Sequence, residues 1–167
     1  MKIQALFLSI LLMLTGSNPL FSAHWLNDMI NRKEKMIHAN IVWSVQSSNA
    51  FFAAHDLVFF YASTCPYCHQ VAPVLKRWAK RRHAAVIPLS FDNRPLAEFP
   101  YFTPATKDWV NVTFAGRPIY YPALFVVNRT AHRLYPIAIG SLTEDELDER
   151  MQVLIPKIKA YEKENER

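Results

Sequence analysis

The 167-residue chain has only two cysteines, contains no internal repeat or low-complexity tract, and nowhere carries an apolar run long enough to span a bilayer. A single cysteine pair excludes the four-thiolate zinc modules, because structural zinc sites close on four protein ligands and no second pair exists. Without repeats or biased tracts, and with 51% of its residues hydrophobic, the chain is expected to form one domain with a substantial core. The formal net charge is +5, and Lys76, Arg77, Lys80, Arg81, Arg82 and His83 form a basic cluster. No nucleic-acid motif accompanies that cluster. It reads as the solvated end of a helix, where cations complement the dipole, and nucleic acid is not expected as a partner.

What the sequence does have is a particular spacing of its two cysteines. Cys65-Pro66-Tyr67-Cys68 follows the apolar run Leu57-Val58-Phe59-Phe60-Tyr61 and precedes a stretch of helical periodicity. A sulfur at the end of a strand and the start of a helix lies beside unpaired backbone N–H groups and the positive end of a dipole, which stabilise a thiolate. Cys65 is therefore the candidate attacking sulfur. Cys68, one helical turn later, is placed to resolve a mixed disulfide, with Pro66 and Tyr67 tuning the thiolate and its reduction potential. A passive bridge is the alternative, but a two-residue spacer closes so small a loop that it removes little entropy from the unfolded chain. Cys65-Pro66-Tyr67-Cys68-His69 also matches the C-x-x-C-H motif of covalent c-type haem, with His69 as axial ligand. The position between a buried-strand pattern and a long helix speaks against haem, and no metal or cofactor is expected.

Met1-Lys2-Ile3 leads into an apolar stretch from Ala5 to Leu14 and then a polar one from Thr15 to Pro19, the layout of an export signal. Cleavage is expected after Ala23, with an uncleaved anchor as the alternative. The expected organisation is a signal peptide over residues 1–23, an N-terminal extension over 24–40 with helical spacing at Trp25, Met29 and Met36, a main domain over 41–160, and a polar tail over 161–167. Export places the mature protein in the periplasm, an oxidising compartment in which a dithiol has exchange partners.

Within the main domain, residues 41–45 and 57–61 read as strands, the second covered on both faces. Val71, Val74, Leu75, Trp78 and Ala79 form one apolar helix face. Residues 85–91 read as a strand in which Pro88 calls for a free edge or a bulge. Thr103-Pro104 is expected to cap and open a helix with Trp109, Val112 and Ala115 inward. Tyr121-Pro122 opens the apolar strand Leu124-Phe125-Val126-Val127, and the X-Pro bond is either cis or, as for most such bonds, trans. Asn128-Arg129-Thr130 turns into a strand over residues 132–135, and Gly140 ends the hairpin region. Thr143-Glu144-Asp145-Glu146 is a capping box, followed by a helix face of Leu147, Met151, Leu154, Ile155 and Ile158 that Pro156 should kink or close.

Strand, C-x-x-C, helix with Pro73, strand, helix, proline-opened strand, hairpin and capped terminal helix stand in the order of the thioredoxin fold, which the chain resembles over roughly residues 42–158. The resemblance implies an α/β, thioredoxin-like architecture with a central mixed β-sheet flanked by helices. It also implies a cis Pro122 and a substrate groove beside Tyr121 and Pro122. Within that superfamily, Phe60-Tyr61-Ala62-Ser63-Thr64-Cys65-Pro66-Tyr67-Cys68-His69-Gln70 followed by Pro73-Val74-Leu75-Lys76 is similar to the exported thiol-disulfide isomerases that serve pilin assembly in F-type conjugative transfer, the TrbB-like group. The segment between Asp92 and Pro122, rich in proline and aromatics, is similar as well.

The sequence departs from its relatives at three points. Reducing thioredoxins usually bury an acid six residues before the first cysteine, and Phe59 stands there, which puts fast general reduction in doubt. Tyr121 precedes the proline where Thr, Val or Ile is usual. Residues 22–40 are too short for the dimerisation domain of periplasmic isomerases, so a monomer is expected. The function expected is an exported thiol-disulfide oxidoreductase of isomerase or reductase type. Its clients would be cysteine-containing envelope, secreted or conjugation-machinery proteins, served by a membrane or periplasmic redox partner. A non-catalytic assembly or chaperone module on the same fold is the second reading.

Overall fold

The computed structural model describes residues 28–37 and 50–165; the expected signal peptide and the strand expected at 41–45 lie outside the described residues. Residues 28–37 belong to a separate unit and form an exposed helix in which Asp28 and Arg32 pair at 2.8 Å one turn apart. In the second unit the elements run β1 (His55–Tyr61), α1 (Pro66–Arg81), β2 (Val86–Ser90), β3 (Thr103–Pro104), α2 (Lys107–Phe114), β4 (Ala123–Asn128), β5 (Leu134–Ile139) and α3 (Glu144–Asn165). The strands join in the order β3-β2-β1-β4-β5. β1 pairs parallel with β2, Leu57 opposite Val86, and antiparallel with β4, Leu57 opposite Val126.

The continuous apolar run of β1 has a direct cause. Side chains alternate across a strand, so a strand covered on both faces needs an apolar residue at every position. Leu57, Phe59 and Tyr61 face one core with Val71, Leu75 and Trp78 of α1 and Leu147, Met151, Ile155 and Ile158 of α3. Val58 and Phe60 face a second core with Leu89, Phe114, Phe125 and Val127. All five residues of the run are fully buried, which fixes β1 as the central strand and fixes where its C-terminal end emerges. Each such side chain contributes about 1.5–3 kcal/mol by leaving water.

The basic cluster closing α1 is paired with the first turns of α3. Arg77 and Arg81 reach Glu144, and Arg82 meets Asp148 at 2.8 Å. The capping box forms as the sequence implies, with Glu146 N–H donating to Thr143 Oγ1 at 3.2 Å and Thr143 N–H donating to Glu146 Oε2 at 2.8 Å. At the far end of α3, Glu162 Oε1 accepts from His55 Nε2 at 3.0 Å, Asn128 Nδ2 at 2.9 Å and the Tyr135 hydroxyl at 2.9 Å. Burial works against the Glu162 charge, but these three donors outweigh it and hold the carboxyl below the usual range.

Three expectations are corrected. Thr103-Pro104 does not open a helix: it pairs with Leu89 and Ser90 as β3, because the next residue, Ala105, donates its N–H to the Ser90 carbonyl at 2.8 Å. Helix α2 starts later, capped by Thr106, whose Oγ1 accepts from Trp109 N–H at 3.5 Å. The later start turns Thr113 and Phe114 inward with part of Trp109, and leaves Val112 and Ala115 exposed. Pro156 does not close the last helix, which runs on to Asn165. The carbonyl its missing N–H would have served is that of Gln152, an exposed residue that water can reach. Residues 161–165, expected within a polar tail, therefore continue α3 and carry Glu162 to its partners. Pro88 sits where the sequence places it, since pairing of β2 with β3 begins only at Leu89.

Leu147→Ala, a deletion in the core of α3, is expected to cost about 2–5 kcal/mol and Thr143→Ala about 1 kcal/mol, both read from denaturant midpoints. Glu162 is a carboxylate held below its unfolded value of about 4.5, so its contribution is whole above that pH and is lost as pH falls through the folded value. Glu162→Gln should therefore lower stability at neutral pH and flatten the loss of stability on acidification below pH 4.5.

Candidate active site

β1 delivers the chain to a short turn, Ala62-Ser63-Thr64, and then to Cys65, the N-cap of α1, with Pro66 in the first helical turn, where its missing N–H is no loss. The Cys65 sulfur does what a capping oxygen does elsewhere, accepting the N–H of Cys68 at 3.3 Å. Negative charge developing on that sulfur meets a backbone donor and the positive end of the α1 dipole. Cys68 is set deeper. It is wholly buried, and its thiol is pushed up to about 12, chiefly by burial, with the hydrogen bond to Cys65 adding to it. The two thiols are free, and both residues are buried, Cys68 completely and Cys65 with 9% of its surface exposed.

Across from Cys65 lies the loop that opens β4. The Tyr121–Pro122 bond is cis, and the Tyr121 carbonyl lies 3.9 Å from Cys65 Sγ. Pro122 offers its carbonyl to Gly140 N–H at 2.8 Å, where Gly140 holds φ +93°, a conformation L side chains rarely adopt. The Tyr121 ring is half exposed and lies 5.5 Å from that of Phe91, while Tyr67, between the cysteines, projects into solvent. The structure thus brings Cys65, Cys68, Tyr121 and Pro122 together although more than fifty residues separate the two segments.

His69 Nε2 lies 2.7 Å from the Ser63 carbonyl, an atom that can only accept, so this nitrogen carries a proton and is not bare for an axial bond to haem iron. No group of three His, Cys, Asp or Glu residues among those described is placed to hold a metal ion. Phe59, at the position of the absent acid, is fully buried with its ring 5.5 Å from Tyr61 and 5.7 Å from Phe99.

Asp92 is the residue that sequence reasoning passed over. Lying just past β2, its Oδ2 accepts from Ser63 N–H at 2.8 Å and Ser63 Oγ at 2.6 Å, and its Oδ1 from Ser90 Oγ at 2.9 Å. Burial opposes its charge, but these bonds outweigh that and hold the carboxyl below the usual range. The available signal was Ser90-Phe91-Asp92, two polar side chains alternating out of a buried strand toward the same end of the sheet as the cysteines.

The sheet order, a helix-capping cysteine with a buried partner one turn on, and a proline loop facing the pair define a thioredoxin-like fold with a two-cysteine candidate site. More particularly, the chain belongs to the family described as TraF, F plasmid transfer operon protein, whose model matches residues 49–152. Protein TrbB of Escherichia coli strain K12 is 32% identical over 85 residues, which are 51% of this chain and 47% of that protein, so the match spans about half of the relative. Solved structures similar to the chain include a thiol:disulfide interchange protein of the thioredoxin family from Chlorobium tepidum, at 18% identity over 65% of this chain and 84% of that one, TM-score 0.44. StoA from Bacillus subtilis is similar at 17% identity over 58% and 81%, TM-score 0.41.

The asymmetry of the two sulfurs gives an expected outcome. Brief treatment of the reduced protein with iodoacetamide near neutral pH should label Cys65 and spare Cys68, as read by peptide mass mapping; equal labelling would contradict the geometry.

Proposed function

We propose that the protein is an exported thiol-disulfide oxidoreductase, acting as a monomer in the periplasm on cysteine-containing proteins of the envelope or of a conjugative pilus and type IV secretion system. The observation that carries the chemistry is the Cys65 sulfur seated as acceptor at the α1 N-cap, 3.3 Å from the Cys68 N–H. The Cys65 thiolate attacks one sulfur of a client disulfide; an S–S bond forms between them, the client bond breaks, and the other client sulfur leaves as a thiolate. Two exits follow. A client thiolate attacks the mixed disulfide at the client sulfur, which rearranges the client and returns the Cys65 thiolate. Alternatively Cys68, after losing its proton, attacks Cys65 Sγ and releases the client reduced, leaving Cys65–Cys68 oxidised for a redox partner to reduce. The client backbone lies along Tyr121 and Pro122 by strand-like pairing, and Pro66 and Tyr67 tune the potential.

Isomerase chemistry is favoured over rapid reduction because Phe59 supplies no base beneath Cys68, whose thiol stands at about 12. The client class rests on the family, described as an F plasmid transfer operon protein, and the compartment on the signal-like N-terminus.

Cys65→Ser should abolish exchange with a scrambled disulfide substrate, and Cys68→Ser should accumulate mixed disulfides visible on non-reducing gels. Unchanged turnover in Cys65→Ser overturns the proposal. A reduction potential near about −270 mV, by equilibration against glutathione, fits a dithiol kept reduced, whereas one near about −120 mV marks a disulfide donor instead.

A further inference from the structure

We propose that Asp92 is a positioning residue for disulfide exchange, one that fixes the segment leading into Cys65 and slows the resolving attack of Cys68. The inference deepens the thiol-disulfide reading and rests on it. Ser63 sits two residues before Cys65 and is gripped from two sides. Its N–H and hydroxyl both donate to Asp92 Oδ2, at 2.8 and 2.6 Å, and its carbonyl accepts from His69 Nε2 at 2.7 Å. The turn that presents Cys65 is thus tied to the end of β2 on one side and to the first turn of α1 on the other. Ser90 Oγ holds the second carboxylate oxygen at 2.9 Å, so Asp92 itself cannot swing away without giving up three bonds.

The hydrogen bonds hold the Asp92 carboxylate at Ser63, two residues before Cys65 and five before Cys68, where its charge adds the smallest of the influences on the Cys68 thiol. Cys68 is already opposed by burial, and among the groups that act on it the Ala62 backbone N–H favours the thiolate, whereas Cys65 and Asp92 disfavour it. Asp92 is also a poor proton acceptor, since its hydrogen bonds hold it ionised well below the pH at which Cys68 gives up its proton. A fixed anion that repels the Cys68 thiolate and does not take its proton lengthens the life of the mixed disulfide on Cys65. The client's own thiol then has time to attack.

A symmetrical bis-nitrobenzoate disulfide, which releases a coloured thiolate at each step, separates the two sulfurs by stopped flow. In the first phase, proportional to reagent concentration, the Cys65 thiolate attacks the reagent and one aryl thiolate leaves. In the second, independent of concentration, Cys68 loses its proton to solvent, attacks Cys65 Sγ and expels the second aryl thiolate. Asp92→Asn keeps the shape and removes the charge. It should speed the second phase about threefold for each unit by which the Cys68 thiol falls, since a tenfold gain in thiolate is partly offset by lower nucleophilicity. Alkylation of Cys68 in a Cys65→Ser background should accelerate likewise when Asp92→Asn is added. Asp92→Ala, which removes the acceptor for Ser63 as well, should in addition slow the first phase. Two phases in the native protein with a second phase unchanged in Asp92→Asn, or unchanged alkylation in the Cys65→Ser background, overturn the Asp92 assignment alone. A native protein that releases no coloured thiolate overturns the exchange reading and this assignment with it.

Discussion

The hydrogen bond from Cys68 N–H to Cys65 Sγ is the contact on which the rest of the molecule converges, because it turns a cysteine into the cap of a helix. A cap has to stand where a strand has just ended and a helix begins, and the fully buried run of β1 fixes that point. Its Leu57, Phe59 and Tyr61 side chains pack against α1 and α3 while Val58 and Phe60 pack on the opposite face, so β1 can neither slide nor rotate without exposing one core or the other. The helix held by the cap is anchored in turn by Val71, Leu75 and Trp78, and its charged end is tied to α3 through Glu144 and Asp148. Packing on two faces therefore sets the position of one sulfur to within a hydrogen bond.

The parts of this architecture that were legible in sequence are those whose signal is local. The apolar run of β1, the helical face around Trp78, the Thr143–Glu146 box and the cysteine spacing each lie within a single element, and each element forms where its residues put it. What escaped was decided by pairing between distant segments. Thr103-Pro104 carries the residues of a helix start, yet Ala105 N–H finds the Ser90 carbonyl and the segment becomes an edge strand, which moves the cap to Thr106. Pro156 carries the signal of a helix end, but the buried faces of Met151, Ile155 and Ile158 and the three donors to Glu162 hold α3 together beyond it. In the site the same division holds. Cys65 and Cys68 announce themselves, Tyr121 and Pro122 were reached through resemblance, and Asp92 could not be placed until β2 was seen to run parallel beside β1 and bring its end to Ser63.

Electrostatics separates the two thiols more sharply than their spacing does. One is an acceptor at the positive end of a helix; the other is wholly buried and bonded to the first, with a hydrogen-bonded anion as a smaller opposing influence. Where a buried acid would take the proton of the resolving thiol, this chain packs Phe59 against Tyr61 and Phe99, and the carboxylate it does have is spent on holding Ser63. A base is effective when its proton affinity approaches that of the group it deprotonates, and Asp92 lies far below Cys68 in that respect. In the proposed exchange cycle the helix N-terminus assists attack by Cys65, and burial holds back release by Cys68. On the proposed reading, such a site would hold a client longer than it discharges it, as rearrangement of wrongly paired cysteines requires.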